Sequence, residues 1–136
     1  MEIRHVRPED RDFWFRLDRH LSETEFARKV RDRMGYVLLL EGEPAGILRY
    51  NLFWDNTPFC NLLYIDPAHQ RRGLGRALMS HWEAEMAKAG YPLVLTSTLS
   101  NEEAQHFYRK LGYRDAGGLL LPGEATELLF TKELVK

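Results

Sequence analysis

The chain has 136 residues, 44% hydrophobic and 29% charged, and its 19 Lys and Arg against 20 Asp and Glu leave a formal charge of −1. This describes one soluble domain, residues 1–136, too apolar for disorder and lacking the run of roughly 18 apolar residues that a membrane helix needs. The balanced charge excludes bulk attraction to nucleic acid or anionic lipid, and the charged opening Met1–Asp10 does not read as a secretory leader, so neither a nucleic acid nor a membrane is expected as partner.

Ile3 to Arg7 alternates apolar and polar and predicts a short strand. Pro8-Glu9-Asp10 starts a helix, with Phe13, Trp14, Leu17 and Leu21 at helical spacing. Ser22 and Glu25 form a capping-box pattern for a second helix reaching Met34, with Gly35 as its stop. Tyr36 to Leu40 and Ala45 to Phe53 are strands around a turn at Glu41–Pro44. A second turn, Asp55–Pro58, leads into Phe59 to Ile65, whose near-continuous apolar run predicts a strand buried on both faces. Arg72 to Lys88 is helical, closed by Gly90. Leu93 to Leu99 is a strand, and Ser100–Glu103 reads as another capping box for a helix ending at Gly112. Tyr113 to Leu121 and Thr126 to Leu134 are the last strands. The expected fold is α/β: a mixed, mostly antiparallel sheet of about seven strands with a central β-α-β crossover. Cys60 has no partner for an internal disulfide, which suits a reducing cytoplasm, and the histidines show no metal-ligand spacing.

The segment Gln70-Arg71-Arg72-Gly73-Leu74-Gly75-Arg76 carries chemistry. Two glycines open the path to backbone N–H groups where a helix begins. A bare helix N-terminus favours acids, yet this one has Arg71, Arg72 and Arg76 and no acid in its first turn. That pattern is unfavourable alone and favourable with a bound phosphate or pyrophosphate; a tight turn with solvated arginines is the plain alternative. A Walker loop is excluded by the missing Gly-Lys-Ser/Thr, and a dinucleotide fingerprint by Leu78 in place of the third small residue.

Gln70–Gly75 resembles the Q/R-x-x-G-x-G/A motif of the GNAT superfamily of N-acetyltransferases, with Leu62-Leu63-Tyr64-Ile65-Asp66-Pro67 before it. Asn101-Glu102-Glu103-Ala104-Gln105-His106-Phe107-Tyr108-Arg109-Lys110-Leu111-Gly112-Tyr113 is similar to the family's second signature. The resemblance implies acetyl-CoA as donor, a primary amine of a small molecule or peptide as acceptor, no metal, and two splayed central strands with the cofactor in the gap. It implies that Gln70, Arg71, Arg72, Gly73, Leu74, Gly75 and Arg76 hold the pyrophosphate. Leu63 and Ile65 would pair with the pantetheine arm through their backbones, and Asn101 would hydrogen-bond it. An N–H at Leu63 or Tyr64 would polarise the thioester carbonyl, and Tyr108 would protonate the leaving thiolate. Asn101 reads equally as part of a helix start, and Tyr108 as core.

Several family members carry a glutamate on the strand before the phosphate turn; Phe59 stands at that position here. A base would come from Asp55 or Glu25, through a water ordered by Asn61 or Tyr64, or be absent. Trp54 beside Asp55 is a candidate for holding a cationic amine, and Glu25 lies on the helix that reads the acceptor. The run Leu119-Leu120-Leu121 breaks alternation and fits either the core or a homodimer contact.

Overall fold

A computed structural model describes residues 1–134. The elements are β1 (Glu2–His5), α1 (Arg11–Leu17), α2 (Glu23–Asp32), β2 (Gly35–Leu40), β3 (Glu43–Phe53), β4 (Thr57–Ile65), α3 (Leu74–Lys88), β5 (Leu93–Leu99), α4 (Ala104–Lys110), β6 (Arg114–Leu119) and β7 (Glu127–Glu133). The order is the expected one, with two added 3-10 turns at Pro8–Asp10 and Pro67–His69. The seven strands follow the sheet order β1-β2-β3-β4-β5-β7-β6. The pairings β1·β2, β2·β3, β5·β7 and β6·β7 are antiparallel, and β4·β5 is parallel, with Phe59 against Leu95 and Cys60 against Thr96.

The chain divides into two compact units, and β3, β4 and α3 each contribute residues to both. The first comprises residues 1–51 and 62–82. Its core gathers Val6, Trp14, Phe26, Val37, Leu39 and Ile47, so α1 and α2 turn their apolar stripes onto one face of β1–β3. Ser22 caps α2 by accepting the Glu25 N–H at 3.1 Å. The helix ends at Arg33 in the left-handed region, φ 58°, not at Gly35. Gly35 instead opens β2, where a Cβ would meet Val6 Cγ1 at 3.0 Å and Trp14 Cη2 at 3.2 Å; packing, not capping, requires the glycine. The β2–β3 turn is the pair Glu41-Gly42, both at positive φ, the geometry that suits a two-residue hairpin.

The most telling polar cluster of this unit surrounds Asp18, which is 1% exposed just past α1. Its Oδ2 accepts from Trp14 Nε1 at 3.0 Å and from Arg49 Nε at 2.7 Å, and its Oδ1 accepts from the His20 backbone N–H at 3.1 Å. Burial pushes this carboxyl up, but the hydrogen bond and charge of Arg49, with help from His20 and Trp14, outweigh it and hold the group below the usual aspartate range.

The second unit comprises residues 52–61 and the chain from Glu83 onward. β5 alternates part-buried and buried residues, with Val94, Thr96 and Thr98 inward. Phe130 and Tyr108 are buried, their ring centroids 6.1 Å apart. Glu83 accepts from Tyr113 Oη at 2.8 Å and Lys132 Nζ at 2.7 Å. Leu119, Leu120 and Leu121 are not core: all are exposed, Leu120 at 87%.

Candidate functional site

In the first unit, the end of β4 leads through Asp66 and the Pro67–His69 turn into the arginine-rich segment. Asp66 accepts the Ala68 N–H at 3.1 Å, fixing the turn. Gln70 does not point away from the protein: its side-chain amide donates to the Ile65 carbonyl at 3.0 Å and ties the loop to the strand. Arg71 and Gly73 both sit at positive φ, 67° and 77°. For arginine that conformation costs on the order of 1 kcal/mol or more, a strain that concentrates at functional loops. The first hydrogen bond of α3 in this turn runs from the Ala77 N–H to the Gly73 carbonyl at 3.1 Å. The N–H groups of Leu74, Gly75 and Arg76 therefore lie ahead of it, at the positive end of the helix dipole. No acid occupies this turn, and Arg71, Arg72 and Arg76 are exposed with no ion pair among the described residues. A Cβ at Gly73 would meet nothing within 4 Å, so the space above the backbone is open. Three cations, unpartnered N–H groups and open space together fit a pyrophosphate.

β4 departs from the expectation of a strand buried on both faces. Pro58 and Cys60 are buried, but Asn61 and Tyr64 are exposed, and Leu62, Leu63 and Ile65 are only part-buried. A run of apolar residues states that a strand avoids water, not what covers it. Leu62, Tyr64 and Pro67 line a cavity of about 410 Å³ with Arg16, Arg19 and His20. His69 is half-buried, with its Nδ1 sealed from solvent. Glu25, on α2, is paired with Arg28.

In the second unit, Tyr108 is 6% exposed and interacts with Thr96, whose Oγ1 donates to the Cys60 carbonyl at 3.0 Å. Burial first, and then the Cys60 group, push the Tyr108 phenol well above the ordinary tyrosine value. The phenol thus keeps its proton at any working pH. Its neighbour Thr96 comes from β5 and carried no signal in the sequence.

Asn101 is exposed in the turn between β5 and α4. No side-chain cap forms there; separately, the Glu102 carboxylate accepts the Leu99 N–H at 3.2 Å and the Thr98 hydroxyl at 3.4 Å. The β3–β4 turn is Trp54–Asn56, with Trp54 at φ 56° and Asp55 at φ 64°. The parallel register places this turn at the Leu93 end of β5, whereas Asn101 follows the Leu99 end. Seven strand residues separate those ends by about 20 Å, so Trp54 and Asp55 are not brought to Asn101. Trp54 is 78% exposed and packs on Phe53, with ring centroids 4.6 Å apart. Among the described residues, no group of three or more His, Cys, Asp or Glu could hold a metal, and no helix is long and apolar enough to cross a membrane.

The model of the acetyltransferase (GNAT) family matches residues 3–113 of the chain. The chain is 34% identical over 97 residues to the [ribosomal protein bS18]-alanine N-acetyltransferase of Escherichia coli K12; the match covers 70% of this chain and 65% of that protein's length. Among solved structures, Ard1 from Thermoplasma volcanium has a TM-score of 0.88 at 17% identity, over 99% of this chain and 98% of that one. The PaiA N-acetyltransferase of Thermoplasma acidophilum, solved with coenzyme A, has a TM-score of 0.76 at 16% identity, over 97% and 98%. At those identities the structures share the fold.

Proposed function

The chain belongs to the GNAT acetyltransferase family, and on that premise we propose that it moves the acetyl group of acetyl-CoA to a primary amine by direct attack, with both substrates bound. The observation that carries this reading is the Arg71–Arg76 turn: positive φ at Arg71 and Gly73, three arginines without ion pairs among the described residues, no acid in the first turn of α3, and open space above Gly73.

Acetyl-CoA supplies an activated thioester. The protein's part is to bind, orient and handle one proton at each end. The backbone N–H groups from Arg71 to Arg76, with the three guanidiniums, take the pyrophosphate; Gln70 braces the loop. The backbone of Leu63 and Ile65 offers strand-like pairing to the pantetheine arm. The N–H at Leu63 or Tyr64 donates to the thioester oxygen. Asn101 hydrogen-bonds the pantetheine amides. Tyr108, a phenol that carries its proton at neutral pH and is raised further by burial, donates its proton or a hydrogen bond to the leaving sulfur.

On the acceptor side, no acid stands on β4 and Glu25 is paired with Arg28. Asp55 lies at the Leu93 end of β5. We therefore favour deprotonation through a water held near Asn61 or Tyr64, or binding of the amine already neutral. The named activity of the E. coli relative on an alanine of a ribosomal protein supports a peptide N-terminus as the acceptor class. A second reading, a non-catalytic acetyl-CoA-binding module, is favoured by Phe59 in place of the glutamate. Following thiol release from acetyl-CoA with a panel of peptides, amino acids, polyamines and aminoglycosides separates the two. Thiol release with at least one amine supports transfer; acetyl-CoA binding with no release under any amine supports the module.

A further inference from the structure

We infer that the acceptor carries a carboxylate close to its amine, and that this group docks against Arg16 and Arg19 in the cavity beside β4. The inference rests on the acetyltransferase reading and gives its acceptor a chemical class.

The cavity, about 410 Å³, is of the size that takes a small ligand or the first residues of a peptide. Leu62, Tyr64 and Pro67 give it an apolar wall. Leu62 and Tyr64 flank Leu63, and the N–H of Leu63 or Tyr64 is the proposed donor to the thioester oxygen. Alternating side chains put the cavity on the face of β4 opposite the Leu63 side chain, and two strand residues span about 7 Å. A group held there is therefore within a few ångströms, measured along the strand, of the place where the amine must arrive.

The charged lining has one sign. Arg16, Arg19 and His20 face the cavity and no acid lines it. Arg16 is 67% exposed and only loosely matched, with Asp66 Oδ2 at 3.9 Å, and Arg19 has no ion pair among the described residues. Asp18, the acid that could neutralise this loop, is buried and already accepts from Trp14, Arg49 and the His20 N–H. The last of these bonds also fixes the loop, so Arg19 and His20 are presented from a built turn rather than a floppy one, which lowers the ordering cost of binding. A lysine or arginine beside the acceptor amine would meet like charge; a carboxylate would gain charge-assisted hydrogen bonds. That carboxylate has two sources: an acidic side chain at the start of a peptide, or the α-carboxylate of a free amino acid.

The test uses the full chain saturated with CoA, titrated calorimetrically with Ala-Glu-, Ala-Gln- and Ala-Lys- peptides of otherwise equal sequence and with free alanine and alaninamide, alongside thiol release from acetyl-CoA with the same acceptors. The expected result is that Ala-Glu binds about 10- to 100-fold more tightly than Ala-Gln, the range of a hydrogen bond to a charged group. Arg19→Glu should invert the order so that Ala-Lys leads, while acetyl-CoA affinity holds. Tighter binding of alanine than of alaninamide assigns the α-carboxylate; tighter binding of Ala-Glu than of Ala-Gln assigns the side chain. Equal binding within both pairs, or an unchanged order in Arg19→Glu, overturns the inference. Thiol release without an acidic preference overturns the cavity's role and leaves acetyl transfer standing. An acidic preference in binding with no thiol release overturns acetyl transfer and leaves the cavity.

Discussion

Asp18 is the most consequential single side chain in the first unit, and Asp18→Ala tests the account of how its loop is held. The substitution removes the acceptor of three hydrogen bonds, at 2.7, 3.0 and 3.1 Å. It leaves Arg49, whose side chain is 13% exposed, as a cation without its acid, and it strands the indole N–H of fully buried Trp14. Removing one partner of a buried pair costs about 3–5 kcal/mol. For a chain of this length that is a fall in Tm of roughly 10–20 °C. Asp18→Asn keeps an acceptor but loses the charge, and its cost is smaller, about 1–3 kcal/mol. Urea and thermal unfolding measure both. The double variant Asp18→Leu/Arg49→Met should recover much of the loss, because it removes the unpaired charge as well. The pH dependence carries the same sign. The folded pKa of Asp18 lies below its unfolded value, so its stabilisation is present above about pH 4 and is lost as pH falls through the folded pKa. Asp18→Asn should flatten that acid limb. If Asp18→Ala cost less than about 1 kcal/mol and the double variant were worse than the single, the pair would not be what holds the loop.

Three further outcomes follow from named contacts. Tyr108→Phe should lower kcat by about 100-fold, the lower end of general-acid effects, with acetyl-CoA affinity retained; full turnover in a rate assay would remove Tyr108 from the leaving-group step. Gly46→Ala places a Cβ 2.6 Å from Ile65 Cδ1 and 3.3 Å from the Tyr64 carbonyl. It should cost about 1–3 kcal/mol in urea unfolding and weaken acetyl-CoA binding through the displaced end of β4; unchanged stability would show that β4 has room to shift. Asp10 behaves like Asp18: burial raises its carboxyl, but Arg4 and the Arg7 N–H outweigh this and hold it low. Asp10→Asn should therefore also reduce the loss of stability between about pH 5 and pH 2, measured by denaturant titration at each pH; an acid limb as steep as in the unsubstituted chain would contradict it.

Local patterns in the sequence carried the element order, the β4–α3–β5 crossover and the Arg71–Arg76 turn, because hydrophobic period, Gly and Pro placement and charge at a helix start are short-range properties. Features that depend on distant partners were not legible. Ser100–Glu103 has the capping-box spelling, yet α4 begins at Ala104 with Glu103 as its N-cap and no side-chain cap bond. The apolar run of β4 gave no sign that its second half lacks full cover. Gly35 looked like a helix stop, but its neighbours Val6 and Trp14 come from β1's exit and α1. Thr96 beside Tyr108, and Arg16 and Arg19 beside Leu62 and Tyr64, are brought together by the fold across more than ten residues of chain. The partners of the residues read from a motif thus came from distant parts of the chain.

The most direct measurement is a mass balance on one turnover. Protein mixed with acetyl-CoA alone should keep its intact mass, and adding an acceptor peptide should give one free thiol for each peptide acetylated at its α-amine. An acetylated protein, with Cys60 as the modified residue, would contradict direct attack; thiol released with no acetylated amine would contradict acetyl transfer itself.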